Sequence, residues 1–152
     1  MTTKREIDEF LAQKTLAIAG VSRGGKKFGN TILKDLTKLG YRLLPVHPEA
    51  AEVDGVAAYP SFGALPEPVG GVIVCVPPAR AEAVVKEAAA HGIRRVWLQQ
   101  GAESPAAIRF CEENGISVVH GQCVLMYPKP ATAWGHAVHR WIWDLIGRTP
   151  KG

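Results

Sequence analysis

The feature that most constrains the fold is an alternation carried along the chain: a short apolar run that halts at glycine or proline, followed by a longer segment with helical spacing. Thr15-Leu-Ala-Ile-Ala-Gly20 is the clearest run, and its continuous apolarity is that of a strand covered on both faces. Between Phe28 and Leu39 the residues Ile32, Leu33, Leu36 and Leu39 recur at helical spacing, and Gly40 supplies the stop. Ile7 to Lys14 reads as a short helix ahead of this first unit. Further strands are expected at Tyr41 to His47, Val72 to Val76, Arg95 to Gln99 and Ile116 to His120, with helices at Ala79 to His91 and Pro105 to Asn114. Glu49 to Pro60 reads as a loop with an Asp54-Gly55 turn signal. Strands joined by helices in this order predict a single α/β, Rossmann-like domain of three layers, a mainly parallel five-stranded sheet with right-handed crossovers and helices on both faces.

At 152 residues the chain can bury one core of this kind without a metal or a disulfide. The repeat ends in a proline-closed loop, Gln122 to Pro130. Beyond it a final helix is expected over Thr132 to Gly147, with Trp134, Val138, Trp141, Ile142, Leu145 and Ile146 on one face. The expected organisation is a domain over 1–128 and a C-terminal helical extension over 129–152 that packs on that domain or forms a homodimer interface.

Composition excludes several function classes. No apolar stretch approaches the roughly 18 residues of a membrane helix, and Met1 to Asp8 has no apolar leader segment. Three widely spaced cysteines, Cys75, Cys111 and Cys123, fit reduced thiols, so a cytoplasmic protein with no membrane partner is expected. The net charge of +4 is spread among interleaved acids, except where Arg23, Lys26 and Lys27 cluster. That pattern predicts a local anion site and no nucleic-acid partner, since a nucleic-acid face needs a broad basic stripe.

The cluster lies in Gly20-Val-Ser-Arg-Gly-Gly-Lys-Lys-Phe-Gly-Asn30, the turn from the first strand into its helix, where an open parallel sheet usually holds a phosphate. Two nucleotide motifs nearly fit. As a P-loop the segment has Lys27 where a magnesium-binding hydroxyl belongs. As a dinucleotide fingerprint it has Ser22 at the second glycine, and the second strand ends without an acid to take a ribose, Glu49 lying beyond Pro48. An NAD(P)-dependent oxidoreductase or another nucleotide-binding enzyme is therefore the alternative reading.

The ordered set Ile18 to Ser22, Lys27-Phe-Gly-Asn30, Leu44-Pro-Val-His-Pro48, Asp54 to Pro60, Leu65 to Pro68 and Val74-Cys-Val-Pro-Pro78 resembles the bacterial CoA-binding proteins. These are small Rossmann-type domains related to the CoA-binding domain of acyl-CoA synthetases of the succinyl-CoA ligase type. Val96-Trp-Leu-Gln-Gln-Gly101 and Gly121 to Met126 are similar to the same family, so the likeness runs from about residue 8 to 128. It implies that coenzyme A or an acyl-CoA lies with its diphosphate on Gly20, Ser22, Lys27 and Asn30. Adenine and ribose would sit near Val46, His47, Pro48 and Tyr59, and pantetheine would run along Val76, Pro77 and Pro78. Gln100, Gly101 and Cys123, at the same edge of the sheet, complete the implied set. The chain departs from the family pattern at Glu49, where a lysine is common, and at Gly70-Gly71, where an aspartate is expected.

The crevice ends of the strands offer no carboxylate placed for acid–base work, and the histidines and cysteines lack compact metal spacing, so neither a catalytic nor a metal-binding set is expected. The resulting expectation is a non-catalytic CoA carrier, sensor or regulator. Removing the residues after Pro130 separates the two roles of the last helix: a folded monomer in place of a dimer, by light scattering and circular dichroism, marks an interface, and general unfolding marks intrachain packing.

Overall fold

The structure, a computed structural model, describes residues 2–127; the expected C-terminal helix lies outside them. Helix α1 (Lys4–Leu11) starts three residues earlier than its apolar spacing suggests, because Thr3 caps it by accepting the Glu6 N–H on its hydroxyl at 3.2 Å. Strand β1 (Thr15–Ala19) is followed by helix α2 (Phe28–Lys38) and strand β2 (Arg42–Val46). After a hairpin come β5 (Val72–Val74), α3 (Pro78–Ala90), β6 (Arg95–Gln99), α4 (Pro105–Glu113) and β7 (Ser117–Gln122).

The hairpin pairs β3 (Glu52–Val53) with antiparallel β4 (Val56–Ala57), inside the segment read as loop. Two-residue strands carry too little periodicity to be visible in the sequence. The Asp54-Gly55 turn between them is nevertheless the expected one, with both residues at positive φ, 52° and 80°.

The main sheet has the order β2-β1-β5-β6-β7 with every neighbour parallel. Alternation along each strand sorts the core into two layers. Leu16 and Ile18 of β1, Ile73 of β5 and Trp97 of β6 pack against Ile7 and Phe10 of α1 and Ile32, Leu33 and Leu36 of α2. Ala17 and Ala19, Val72 and Val74, and Val96 and Leu98 face Ala81, Val85 and Ala88 of α3 and Ala107 and Cys111 of α4. The five-stranded, three-layer α/β fold is thus the one the alternation predicts. Among the described residues no helix is long and apolar enough to cross a membrane.

Trp97 is the largest fully buried side chain of the described residues. Its ring lies 5.3 Å from that of Phe10 and 5.9 Å from that of Tyr127, and its Nε1–H donates to the Gln122 carbonyl at 3.1 Å. It thereby joins α1 to the end of β7. Trp97→Ala is expected to lower the unfolding free energy by about 3–5 kcal/mol in chemical denaturation, and a loss below about 1 kcal/mol would contradict this account of the core.

Candidate functional site

The chain leaves β1 for β2 on one side and returns to β5 on the other, so strand order reverses between β1 and β5. At the carboxyl ends of β5 and β6, beside the start of α2, lies an open cleft of about 330 Å³. That is the position where open α/β sheets take ligands. One wall is Lys27, Phe28 and Gly29 at the start of α2; the others are Cys75, Val76 and Pro77 after β5, and Gln99, Gln100, Gly101 and Ala102 at the end of β6.

Two glycines set the approach of α2 to the sheet. A Cβ on Gly29 would lie 2.6 Å from the Gly20 carbonyl oxygen, and one on Gly20, which has φ of 103°, would lie 2.5 Å from the Cys75 carbonyl carbon. No side chain fits at either place.

Asn30, only 1 % exposed, then locks the turn. Its Oδ1 accepts the Ser22 N–H at 2.8 Å, and its Nδ2 donates to the Ser22 carbonyl at 2.9 Å and to Asp54 Oδ2 at 2.8 Å. Asp54 comes from the tip of the β3–β4 hairpin, and its other oxygen is 3.8 Å from Lys34 Nζ. Inside the turn, Gly25 donates its N–H to the Ser22 carbonyl at 3.2 Å, and Lys26 donates its N–H to the Ser22 hydroxyl at 3.3 Å.

With the turn held this way, Arg23, Lys26 and Lys27 are left exposed around it. Lys27 is the N-cap of α2 and makes no side-chain capping bond. The first N–H groups of α2 therefore have no side-chain acceptor from the cap, and they coincide with the positive end of the helix dipole and with two lysines.

A second group of residues gathers where the chain leaves β2. Tyr59 forms a parallel bridge with Val46, donating its N–H to the Pro45 carbonyl at 2.9 Å and accepting the His47 N–H at 2.8 Å. His47 Nδ1 accepts the N–H groups of Glu49 and Ala50 at 3.1 and 2.9 Å, which turns the chain after Pro48 and puts the proton of a neutral ring on Nε2. Glu49 Oε2 meets Arg23 Nη2 at 3.0 Å, tying this exit to the glycine turn. Both partners are exposed, so the link adds little stability.

The expected residues thus fall into two sets. Gly20, Ser22, Lys27, Asn30, Val76, Pro77, Gln100 and Gly101 surround the cleft or build its turn, while Val46, His47, Pro48 and Tyr59 form the exit of β2. Pro78 opens α3. Asn30 acts through the turn, since its carboxamide is taken up by Ser22 and Asp54. Cys123 is 6 % exposed and packs in the α1–α2 layer of the core with Val124 and Leu125; the cysteine that lines the cleft is Cys75. Burial, and then the neighbouring Cys123, push the Cys75 thiol up to about 12, so it stays protonated at neutral pH. Burial, followed by Glu112, pushes the Cys111 thiol up to about 11. Among the described residues no group of three His, Cys, Asp or Glu side chains is placed to hold a metal ion. Two residues have roles that the sequence reading did not assign: Asp54, read only as a turn signal and as part of the family-like set, whose role depends on a hairpin contact with Asn30, and Gln99, buried at the end of β6 beside the cleft.

Residues 14–128 match the family model described as CoA binding domain. The chain is 39 % identical to a conserved hypothetical protein from Pyrococcus furiosus whose solved structure superimposes with a TM-score of 0.69, covering 73 % of this chain and 96 % of that one. An uncharacterized protein of Bacillus subtilis, YneT, is 28 % identical over 80 % of this chain and 91 % of its own. An ADP-forming acetate–CoA ligase of Archaeoglobus fulgidus is 26 % identical over 74 % of this chain, which spans 18 % of the ligase's length.

Asn30→Ala strips hydrogen bonds from the Ser22 N–H, the Ser22 carbonyl and Asp54. It is expected to lower stability by about 2–4 kcal/mol in chemical denaturation, and an effect under about 0.5 kcal/mol would mean that the turn is held by other contacts.

Proposed function

The chain belongs to the CoA binding domain family, and on that premise we propose that it binds coenzyme A or an acyl-CoA and performs no chemistry on it, serving as a carrier, sensor or regulator. In this reading residues 1–128 form the binding domain of a cytoplasmic protein, and 129–152 an extension that packs on it or pairs two copies.

The observation that carries the reading is the glycine turn at the reversal of strand order, with a helix start that lacks a side-chain cap and has exposed Arg23, Lys26 and Lys27 around it. Oriented N–H groups and cations together suit a diphosphate. The ligand's shape is supported by what flanks that turn. His47, Pro48 and Tyr59 on one side, all at least partly exposed, offer ring side chains to adenosine. On the other side Phe28, 51 % exposed, together with Val76, Pro77 and Ala102 offers apolar walls to a neutral arm. Burial holds the Cys75 thiol protonated, so the cysteine that lines the cleft is not poised as a nucleophile.

Coenzyme A is expected to raise the melting temperature more than the same concentration of NAD in a thermal-shift assay. Lys27→Ala is expected to weaken coenzyme A binding by about 1–3 kcal/mol in calorimetry, the cost of one charge-assisted hydrogen bond. Equal or tighter NAD binding, with hydride transfer to a carbonyl substrate, would replace this reading by the oxidoreductase one.

A further inference from the structure

The cleft contains a polar group that the described residues satisfy only in part. Gln99 ends β6, is 3 % exposed, and lines the cleft. Its Oε1 accepts the Val124 N–H at 3.0 Å, which fixes the orientation of the carboxamide: the oxygen is turned to the loop after β7 and the nitrogen away from it. Among the described residues that nitrogen has no acceptor. A buried amide with two idle donors costs stability, so a group that accepts from them is favoured at this place.

The location says which kind of group. Alternation along β6 puts Gln99 on the same face as Trp97, the α2 side of the sheet, and the residues at the start of α2, Lys27, Phe28 and Gly29, form the facing wall. Of the remaining lining, Cys75, Val76, Pro77, Gly101 and Ala102 offer apolar groups, backbone or a neutral thiol, and the other carboxamide, Gln100, is exposed to solvent. A neutral acceptor carried on an otherwise apolar chain matches such a place. A phosphate matches it poorly, since its charge is better met at the turn, where the cations are.

We infer that Gln99 is a ligand-binding residue whose carboxamide N–H group donates to an amide carbonyl on the arm of the bound ligand, so that the cleft selects an amide-bearing arm over a bare nucleoside diphosphate. The inference rests on the reading that coenzyme A is the ligand with its arm in this cleft. It deepens that reading by assigning the contact that distinguishes the arm from the nucleotide. Val124 and the turn after β7 hold the side chain in place, so the donor is preoriented before the ligand arrives.

The test compares coenzyme A with ADP, which has the diphosphate and no arm, by calorimetry on the whole chain. Gln99→Leu removes both halves of the amide. Gln99→Glu, assayed at about pH 8.5 where a carboxylate is ionised, keeps an acceptor for the Val124 N–H and removes the donors. Both variants are expected to lose about 10- to 100-fold in affinity for coenzyme A and to keep ADP affinity within about twofold, the span for losing a hydrogen bond and leaving an acceptor buried. Melting of each unliganded variant confirms that it is folded. Equal losses for both ligands, or a loss in Gln99→Leu that Gln99→Glu restores, would overturn the inference and make Gln99 a support for the Val124 turn alone. Wild-type protein that binds coenzyme A no better than ADP would overturn the functional reading itself.

Discussion

The close approach of α2 to the ends of β1 and β5 is the constraint on which the rest of the site depends. Gly20 and Gly29 remove two side chains that would otherwise hold the helix off the sheet, with the distances to neighbouring backbone already at 2.5–2.6 Å for an added Cβ. Asn30 then spends its whole carboxamide on Ser22 and Asp54, so that the turn has one geometry. A buried amide with each of these bonds made is stabilising; one bond lost leaves a buried group unpaired, which is why such networks define a conformation more sharply than apolar packing does. The helix start and its lysines are consequently aimed before any anion binds, and preorganisation of this kind favours affinity by reducing what must be ordered on binding.

The site divides by chemistry along its length. At the turn, charge and oriented N–H groups dominate, and the Arg23–Glu49 pair bridges it to the exit of β2. That pair is exposed and weak, so Arg23 is available to a competing anion at small cost. Between Phe28, Val76, Pro77 and Ala102 the lining is apolar and carries no charge, with the carboxamides of Gln99 and Gln100 at the end of β6. A ligand charged at its middle and neutral along its arm fits this gradient. The protonated state of Cys75 fits a channel that holds such an arm without reacting with it.

The sheet was legible because buried parallel strands are continuous apolar runs and their helices have amphipathic spacing; neither signal needs knowledge of partners. The glycine turn was legible for the same reason, since its composition is local. What escaped was set by contacts distant in sequence. Asp54 serves the turn from 24 residues beyond Asn30, on a hairpin whose two-residue strands have no period. Cys123 lies at the right edge of the sheet by sequence, yet the chain turns into a short 3-10 helix at Val124–Met126 and carries the thiol into the core. Gln99 stood in the sequence only as the last residue of a strand and part of the Val96 to Gly101 segment, and donors that no described residue takes up become apparent only once Val124 is known to occupy its oxygen.

The measurement that tests the account most directly is a stepwise titration followed by backbone amide resonances, first with ADP and then with coenzyme A. The account predicts that ADP moves the resonances of the turn from Gly20 to Asn30 and of His47 to Tyr59, and that coenzyme A moves these and also Val76 and Gln99 to Ala102. Shifts confined to a different surface, such as the groove between Thr3, Glu9 and Ser117, or identical shifts for the two ligands, would contradict it.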